Sequence, residues 1–131
     1  MEGITEGVKK VNLNETTTQK RNLVQVSNTK KSLFFYVNLS KRYLQQYGEV
    51  ELSGLGMAIA TVVTVTEILK NNGFAVEKKI RTLTVDMRDE LGARPVPKAK
   101  IEILLGKTDN FDELLAAEAE QREYGQNEEQ N

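Results

Sequence analysis

Two adjacent lysines, Lys30 and Lys31, lie between a short apolar segment and the start of a helical pattern. Ammonium groups on a short loop can reach phosphate oxygens, and the free N–H groups at the start of a helix also favour anions. Lysine pairs are equally common on ordinary solvent-exposed loops. The residues alone therefore leave open both an anion-binding loop and a plain surface loop.

A second group of basic residues is spread along a stretch with the pattern of a β-hairpin. Basic side chains distributed in this way suit contacts with successive phosphates of a nucleic-acid backbone better than recognition of one nucleobase. Acidic residues in the same stretch (Asp86, Asp89 and Glu90) weaken the positive field. The basic residues of this stretch include Arg81, Arg88, Arg94, Lys98 and Lys100.

Other candidate binding features have a competing structural explanation. Phe34, Phe35 and Tyr36 could stack on bases, but aromatic residues at helical spacing more often belong to a core, and we favour the core. Gly54-Leu55-Gly56 precedes a helix, as a phosphate-binding turn does, but the third glycine of a dinucleotide site is missing at Ile59. We therefore expect no dinucleotide site, while backbone contact with a phosphate stays open.

The composition removes most catalytic chemistry. The chain has no histidine, no cysteine and no tryptophan, which excludes His-dependent triads, thiolate metal sites and disulfides. Glu49 and Glu51 share a strand face, but the sequence shows no nucleophile or base with which they would form a catalytic site. We expect no catalytic residue, no metal site and no cofactor, and hence no enzyme.

Charge is distributed unevenly along the chain. Residues 20–110 hold 15 Lys/Arg against 9 Asp/Glu, a net charge of +6, whereas residues 111–131 hold 7 acids and one base, a net charge of −6. A basic body can bind a polyanion. The same pattern also fits a solvated surface with a solubilising acidic tail.

Apolar periodicity predicts the element order β-α-β-α-β-β. The first strand is Leu23 to Val26, and the first helix starts at Leu33 behind a capping Ser32 and ends at Gly48. Val50 and Leu52 alternate with polar residues in the second strand.

The second half of the pattern is a helix followed by a hairpin. Met57 to Asn71 contains many strand-favouring valines and threonines, but its length before Gly73 favours a helix. The alternation of the third strand slips between Ile80 and Leu83, which predicts a bulge or bend there. A turn at residues 89–97 leads to the fourth strand, and residues 111–121 have the pattern of a short helix.

The predicted second helix is apolar around most of its circumference, since no charged residue occurs from Leu52 to Thr66. One sheet face covers only one side of a helix. A second copy of the chain is the favoured cover, and a folded-back tail or N-terminal arm is the alternative. The predicted dimer interface comprises Ile59, Val62, Val63, Val65, Thr66 and Leu69.

An ordered set of segments resembles the Alba family of small chromatin- and RNA-binding proteins, with the short plant members most similar. The resemblance covers about residues 21–106, and the β-α-β-α-β-β order is also that of the family. The segments are Ser27-Asn28-Thr29-Lys30-Lys31, Phe34-Phe35-Tyr36-Val37, Gly56-Met57-Ala58-Ile59-Ala60 and Lys98-Ala99-Lys100-Ile101-Glu102-Ile103.

The resemblance implies a dimer that binds nucleic acid with little sequence preference. A lysine pair that contacts phosphates in the family matches Lys30 and Lys31, and the basic hairpin arm matches about residues 76–105. The resemblance implies as candidate contacts of this arm Arg81, Arg88, Arg94, Lys98 and Lys100. Two features depart from the family: Leu55 and Met57 replace arginines of many archaeal members, and the chain ends in acids where longer eukaryotic relatives carry Arg-Gly-Gly repeats.

Together these observations predict an α+β fold, a two-layer α/β sandwich with a long hairpin arm made by the third and fourth strands. We expect a disordered arm at residues 1–20, a nucleic-acid-binding domain at 21–110, and an acidic tail at 111–131 that is partly helical or disordered. The expected partners are DNA, RNA or an RNA–DNA hybrid such as an R-loop, and a second copy or an Alba paralogue. No membrane segment is visible, and both nucleus and cytoplasm are expected locations. The alternative is a protein-interaction module with an acidic tail.

Overall fold

The computed structural model describes residues 21–27, 29–88 and 94–130. The predicted disordered arm at residues 1–20 and part of the predicted turn, residues 89–93, lie outside the described residues.

The described chain folds into one four-stranded sheet with helices, in the predicted order, and the helix expected after the fourth strand is present. The α+β fold class is confirmed. A 3₁₀ turn, Gly56–Ala58, precedes the second helix. The elements are β1 (Leu23–Val26), α1 (Leu33–Tyr47), β2 (Glu49–Leu55), α2 (Ile59–Asn71), β3 (Ala75–Met87), β4 (Val96–Lys107) and α3 (Phe111–Gln130).

The strands lie in the order β1-β2-β4-β3, with β1 parallel to β2 and the other pairs antiparallel. The last pair between β2 and β4 is Leu55 with Lys100. Beyond it, β3 and β4 pair only with each other, from Thr84–Ala99 to Met87–Val96. We call this free hairpin the arm, and the end of the sheet from which it projects the arm end.

Both predicted boundaries of α1 are confirmed. The Ser32 hydroxyl accepts a hydrogen bond from the N–H of Phe35 at 3.2 Å, as an N-cap does. Gly48 ends the helix at φ 80°, where its N–H donates to the Leu44 carbonyl at 2.9 Å. A residue with a Cβ is disfavoured in this left-handed conformation, which explains glycine here.

The core lies between the sheet and the side-by-side helices α1 and α2. Val62, Val65, Thr66 and Leu69 of α2 are all buried inside the single chain, at no more than 2% exposed. Their burial therefore requires no second copy: α1 and the sheet provide the cover that the sequence reasoning assigned to a partner. Gly54 allows α2 to approach β2 closely, because a Cβ there would lie 2.5 Å from Val62 Cγ2.

The predicted position of the β3 bulge was wrong. The register shift lies between Glu77 and Lys79, and pairing is regular from there to the tip of the arm. Ile80 therefore lies opposite Ile103 on the helix-covered face, whereas Leu83 lies opposite Lys100 on the helix-free face. The apolar residues change phase because the hairpin extends past the helices, where neither face is fully covered.

Helix α3 is longer than expected, since it continues past residue 121 to Gln130. Helix-favouring residues such as Ala116, Ala117 and Gln121 are frequent in it. Its first residue, Phe111, is fully buried and packs edge-on against Phe74 with ring centroids 5.5 Å apart. The helix thus begins at the end of the sheet opposite the arm. None of the helices in the described residues is long and apolar enough to span a membrane.

Candidate nucleic-acid interface

Lys30 and Lys31 lie on the loop between β1 and α1, at the arm end of the sheet, and both are exposed. The loop is fastened by Tyr36, whose hydroxyl accepts from the N–H of Ser27 at 2.9 Å and donates to its carbonyl at 3.2 Å. The Lys31 ammonium lies 5.1 Å from the centre of the Phe35 ring. Within the described part of the chain, neither lysine forms an ion pair.

The arm carries three of the predicted contacts in exposed positions: Arg88 and Arg94 near its tip and Lys98 near its base. In the described ranges none of the three has an ion-pair partner. A Cβ at Gly56 would lie 3.9 Å from Lys98 Cδ, so the stem of Lys98 lies beside the turn that starts α2. The free cations of the arm and those of the β1–α1 loop therefore share the arm end.

Arg81 and Lys100, the other two predicted hairpin contacts, lie on the helix-free face and share one carboxylate. Arg81 Nε is 2.9 Å from Glu102 Oε1, and Lys100 Nζ is 3.4 Å from Glu102 Oε2. Burial opposes ionisation of Glu102, but the charges of Arg81 and Lys100 together lower the pKa of this carboxyl below its ordinary value. These two cations are thus partly neutralised before any ligand arrives.

Lys79 was missed by the sequence reasoning. It lines a concavity of about 280 Å³ on the helix-free face together with Glu51, Arg81, Glu102 and Leu104. The signal was present, because Lys79 and Arg81 are two residues apart and so share a face of the strand.

The aromatic cluster at the start of α1 is divided between core and surface. Tyr36 is 4% exposed and belongs to the core, as favoured. The core interpretation was wrong for its neighbours, because Phe34 is 67% exposed and Phe35 is 41% exposed. The sequence spacing did not reveal this, since Phe34 and Phe35 occupy the outer side of a helix whose inner side is already filled.

Only part of the predicted dimer interface reaches the surface. Ile59 is partly buried and Val63 is 41% exposed. Val63 is one helical turn before Glu67 and two before Lys70, whose ammonium reaches Glu77 on β3 at 3.1 Å. The exposed apolar residues of α2 therefore lie on the side of the helix that is next to β3, where Ile80 is also exposed. We call Ile59, Val63 and Ile80 the α2–β3 flank.

The acidic tail is attached far from the free cations. The Lys41 ammonium lies 4.4 Å from the centre of the Phe74 ring and pairs with Glu118 of α3 at 2.8 Å. Asp112 is 3.8 Å from Lys107 at the opposite end of the sheet from the arm. The first turns of α3 are thus bound to the body, and their carboxylates do not cover the arm end.

This arrangement of basic side chains can neutralise anions along an extended surface. The described residues include no cluster of three acids that could hold a metal ion. Unpaired ammonium and guanidinium groups on a loop and on a projecting two-stranded ribbon instead match a row of backbone phosphates.

Comparison with known proteins agrees with this geometry. The family model named Alba matches residues 22–86. A protein of Arabidopsis thaliana described as uncharacterized is 67% identical over the full length of both chains. The crystal structure of ALBA1 from Trypanosoma brucei is 33% identical, with a TM-score of 0.69 over 86% of this chain and 91% of that one. Alba from Thermoplasma volcanium shares the fold, with a TM-score of 0.58 over 66% of this chain and all of the other, at 24% identity.

The sheet order, the projecting basic hairpin, the lysine loop and these similarities lead to one conclusion: the chain belongs to the Alba family of nucleic-acid-binding proteins.

Proposed function

We propose that this protein binds DNA, RNA and RNA–DNA hybrids with little dependence on sequence, as a dimer, in chromatin and genome maintenance or in RNA metabolism. The binding surface is the arm end of the sheet, formed by the β1–α1 loop and the arm. The proposed role is to bind nucleic acid and to package or protect it.

The observation that carries the proposal is the contrast between the two ends of the sheet. Lysines at the opposite end are paired with acids: Lys70 with Glu67 and Glu77, Lys78 with Glu49, and Lys107 with Asp112. The cations at the arm end lack such partners among the described residues, as described for Lys30, Lys31, Arg88, Arg94 and Lys98. Charges that the fold leaves unpaired on one side can exchange their counterions for phosphates.

The arm end offers little for reading base sequence. It presents a hairpin and a loop, and no helix that carries a set of amide and guanidinium groups for base edges. Thr82 and Thr84 are exposed on β3 and can bond hydroxyls. The wide, shallow minor groove of an A-form helix displays 2′-hydroxyls, and Leu55 and Met57 replace arginines that many archaeal relatives carry. We therefore propose that RNA or hybrid is bound at least as well as duplex DNA.

The proposed dimer uses the α2–β3 flank, which joins the two predicted interface residues that the single chain does not fully bury, Ile59 and Val63, to Ile80, which was not predicted. Val63 and Ile80 expose 41% and 47% of their surface, and apolar surface of this kind favours burial against a partner. A two-fold interface on this flank presents two arms to one nucleic acid. The partner is a second copy or an Alba paralogue.

The proposal is tested by fluorescence anisotropy with duplex DNA, single strands, duplex RNA and RNA–DNA hybrid of one sequence at low salt. We expect binding to all of them, with hybrid and RNA at least equal to duplex DNA and little change when the sequence is permuted. Tighter binding to duplex DNA than to hybrid would remove the A-form preference. Binding to none of the four would overturn the proposal and favour the protein-interaction module.

A further inference from the structure

A groove of about 430 Å³ runs between β1, which is the outer strand of the sheet, and the outer side of α1. Phe35 and Leu39 form its helical wall, and Lys30 and Lys31 lie at its arm end. The nucleic-acid interface described above gives this groove no function. Its size falls within the range of small-molecule sites, which is about 300–1,000 Å³.

The strand wall of the groove carries backbone groups that the sheet does not use. The Asn22 carbonyl accepts from the N–H of Glu51 and so faces β2, whereas both backbone groups of Ser27 face the other way, towards the Tyr36 hydroxyl. Backbone groups in a strand alternate between its two sides. The N–H and C=O of Leu23 and Gln25 therefore face the groove, and no described strand pairs with them.

The groove combines three features, which are supplied by α1, the β1–α1 loop and β1. Phe35 offers a ring that is 41% exposed, Lys30 and Lys31 offer two ammonium groups, and Gln25 offers a hydrogen-bond donor and acceptor side by side. A nucleotide has a flat base that stacks on aromatic rings, a polar base edge with donors and acceptors, and a phosphate. In a duplex the base faces are stacked and the edges are paired, so only an unpaired nucleotide can present all three.

We propose that this groove is a subsite for one unpaired nucleotide, with its base stacked on Phe35, its edge bonded to the free backbone groups of β1 and its phosphate on Lys30 or Lys31. The inference rests on the proposed function and deepens it. It makes the protein a binder of junctions between paired and unpaired nucleic acid, where the arm follows the duplex and the groove holds the first unpaired base.

Phe34 provides a matched control within the same helix. It is a phenylalanine next to Phe35 and is more exposed, at 67%, yet it does not line the groove. The loss of an exposed ring beside the lysines is common to both variants, whereas only Phe35 lines the groove and lies 5.1 Å from the Lys31 ammonium. Loss of the Lys31 contact should affect blunt and extended duplexes alike, so a stacking role is reported by the difference between the two.

The experiment compares binding of a blunt duplex and of the same duplex with a single-stranded extension. Phe35→Ala should weaken binding of the extended duplex about tenfold more than binding of the blunt duplex, as expected for loss of one base stack. Phe34→Ala should change neither, and Phe35→Trp should retain the preference. A 5-iodouracil at the first unpaired position should cross-link to Phe35 under ultraviolet light and not to Phe34. Circular dichroism confirms that the variants are folded.

The other outcomes separate this inference from the proposed function. If the wild-type protein binds both duplexes and Phe35→Ala changes neither, or weakens both equally, the nucleotide subsite is refuted while general binding stands. If Phe35→Ala also changes the oligomeric state, the groove is an interface between copies and the subsite is again refuted. If the wild-type protein binds no nucleic acid, the proposed function itself fails.

Discussion

Replacing Glu102 by glutamine should tighten nucleic-acid binding, because this carboxylate neutralises two cations on the helix-free face. Its oxygens lie 2.9 Å from Arg81 Nε and 3.4 Å from Lys100 Nζ. Glutamine keeps the shape of the side chain and removes one negative charge. Both cations then become available to phosphates at full charge.

The size of the effect follows from the repulsion that is removed. A carboxylate about 7 Å from a phosphate costs about 0.6 kcal/mol at the dielectric constant of water. Two phosphates, one on each cation, bring the total to about 1 kcal/mol, which corresponds to roughly fivefold tighter binding at low salt. The gain should shrink at high salt, where the charges are screened.

Glu49→Gln is the matched control. Glu49 pairs with Lys78 at 2.9 Å at the opposite end of the sheet, and its replacement makes the same change in net charge. Anisotropy titrations of both variants on one duplex at low and high salt give the comparison. If Glu102→Gln binds no tighter than Glu49→Gln, the helix-free face does not contact nucleic acid, and Arg81 and Lys100 leave the proposed site.

Three further predictions follow from the burial of particular side chains and from the charge of the tail. If the α2–β3 flank is the dimer interface, Val63→Glu should give a folded monomer in light scattering. Val62→Glu should instead unfold the chain, because Val62 is fully buried. A folded Val63→Glu dimer would exclude this flank. Removing residues 120–131, which carry a net charge of −3, should tighten binding of nucleic acid at low salt. A cut before the fully buried Phe111 should instead destabilise the fold by about 3–5 kcal/mol. Weaker binding after the shorter cut would show that the tail supports the interface. Thr66→Val should raise the free energy of unfolding by about 1 kcal/mol, because the buried Thr66 hydroxyl has no hydrogen-bond partner among the described residues. A loss of stability in chemical denaturation would show that the hydroxyl is bonded in the assembled protein.

Local signals in the sequence were sufficient for the elements and their boundaries. A capping serine, a glycine after the last helical residue and a phase of apolar residues each act over a few positions, so α1, β2 and α2 were predicted close to their observed bounds. The bulge was misplaced because the arm extends beyond the helices. There the alternation of apolar residues no longer reports which face is buried, and Ile80 and Leu83 occupy opposite faces of a regular strand.

Features that depend on distant contacts could not be predicted. The burial of Val62 and Val65 depends on α1, and the docking of α3 depends on Phe74 and Lys41. The seven predicted phosphate contacts were all basic residues, but the sequence did not show which of them the fold pairs with acids. That division is a property of the sheet register, which brings Glu102 of β4 opposite Arg81 of β3.

The salt dependence of binding tests the central claim, that the free cations of the β1–α1 loop neutralise phosphates. The measurement compares the wild-type protein, Lys30→Ala with Lys31→Ala, and the control Lys70→Ala with Lys78→Ala, which removes the same charge from paired lysines at the opposite end. On B-form DNA the slope of log affinity against log salt should fall by up to about 1.8 for the loop variant, about 0.9 for each lost contact, and stay at the wild-type value for the control. Equal slopes for both double variants would contradict the account, because binding would then follow net charge and not this surface.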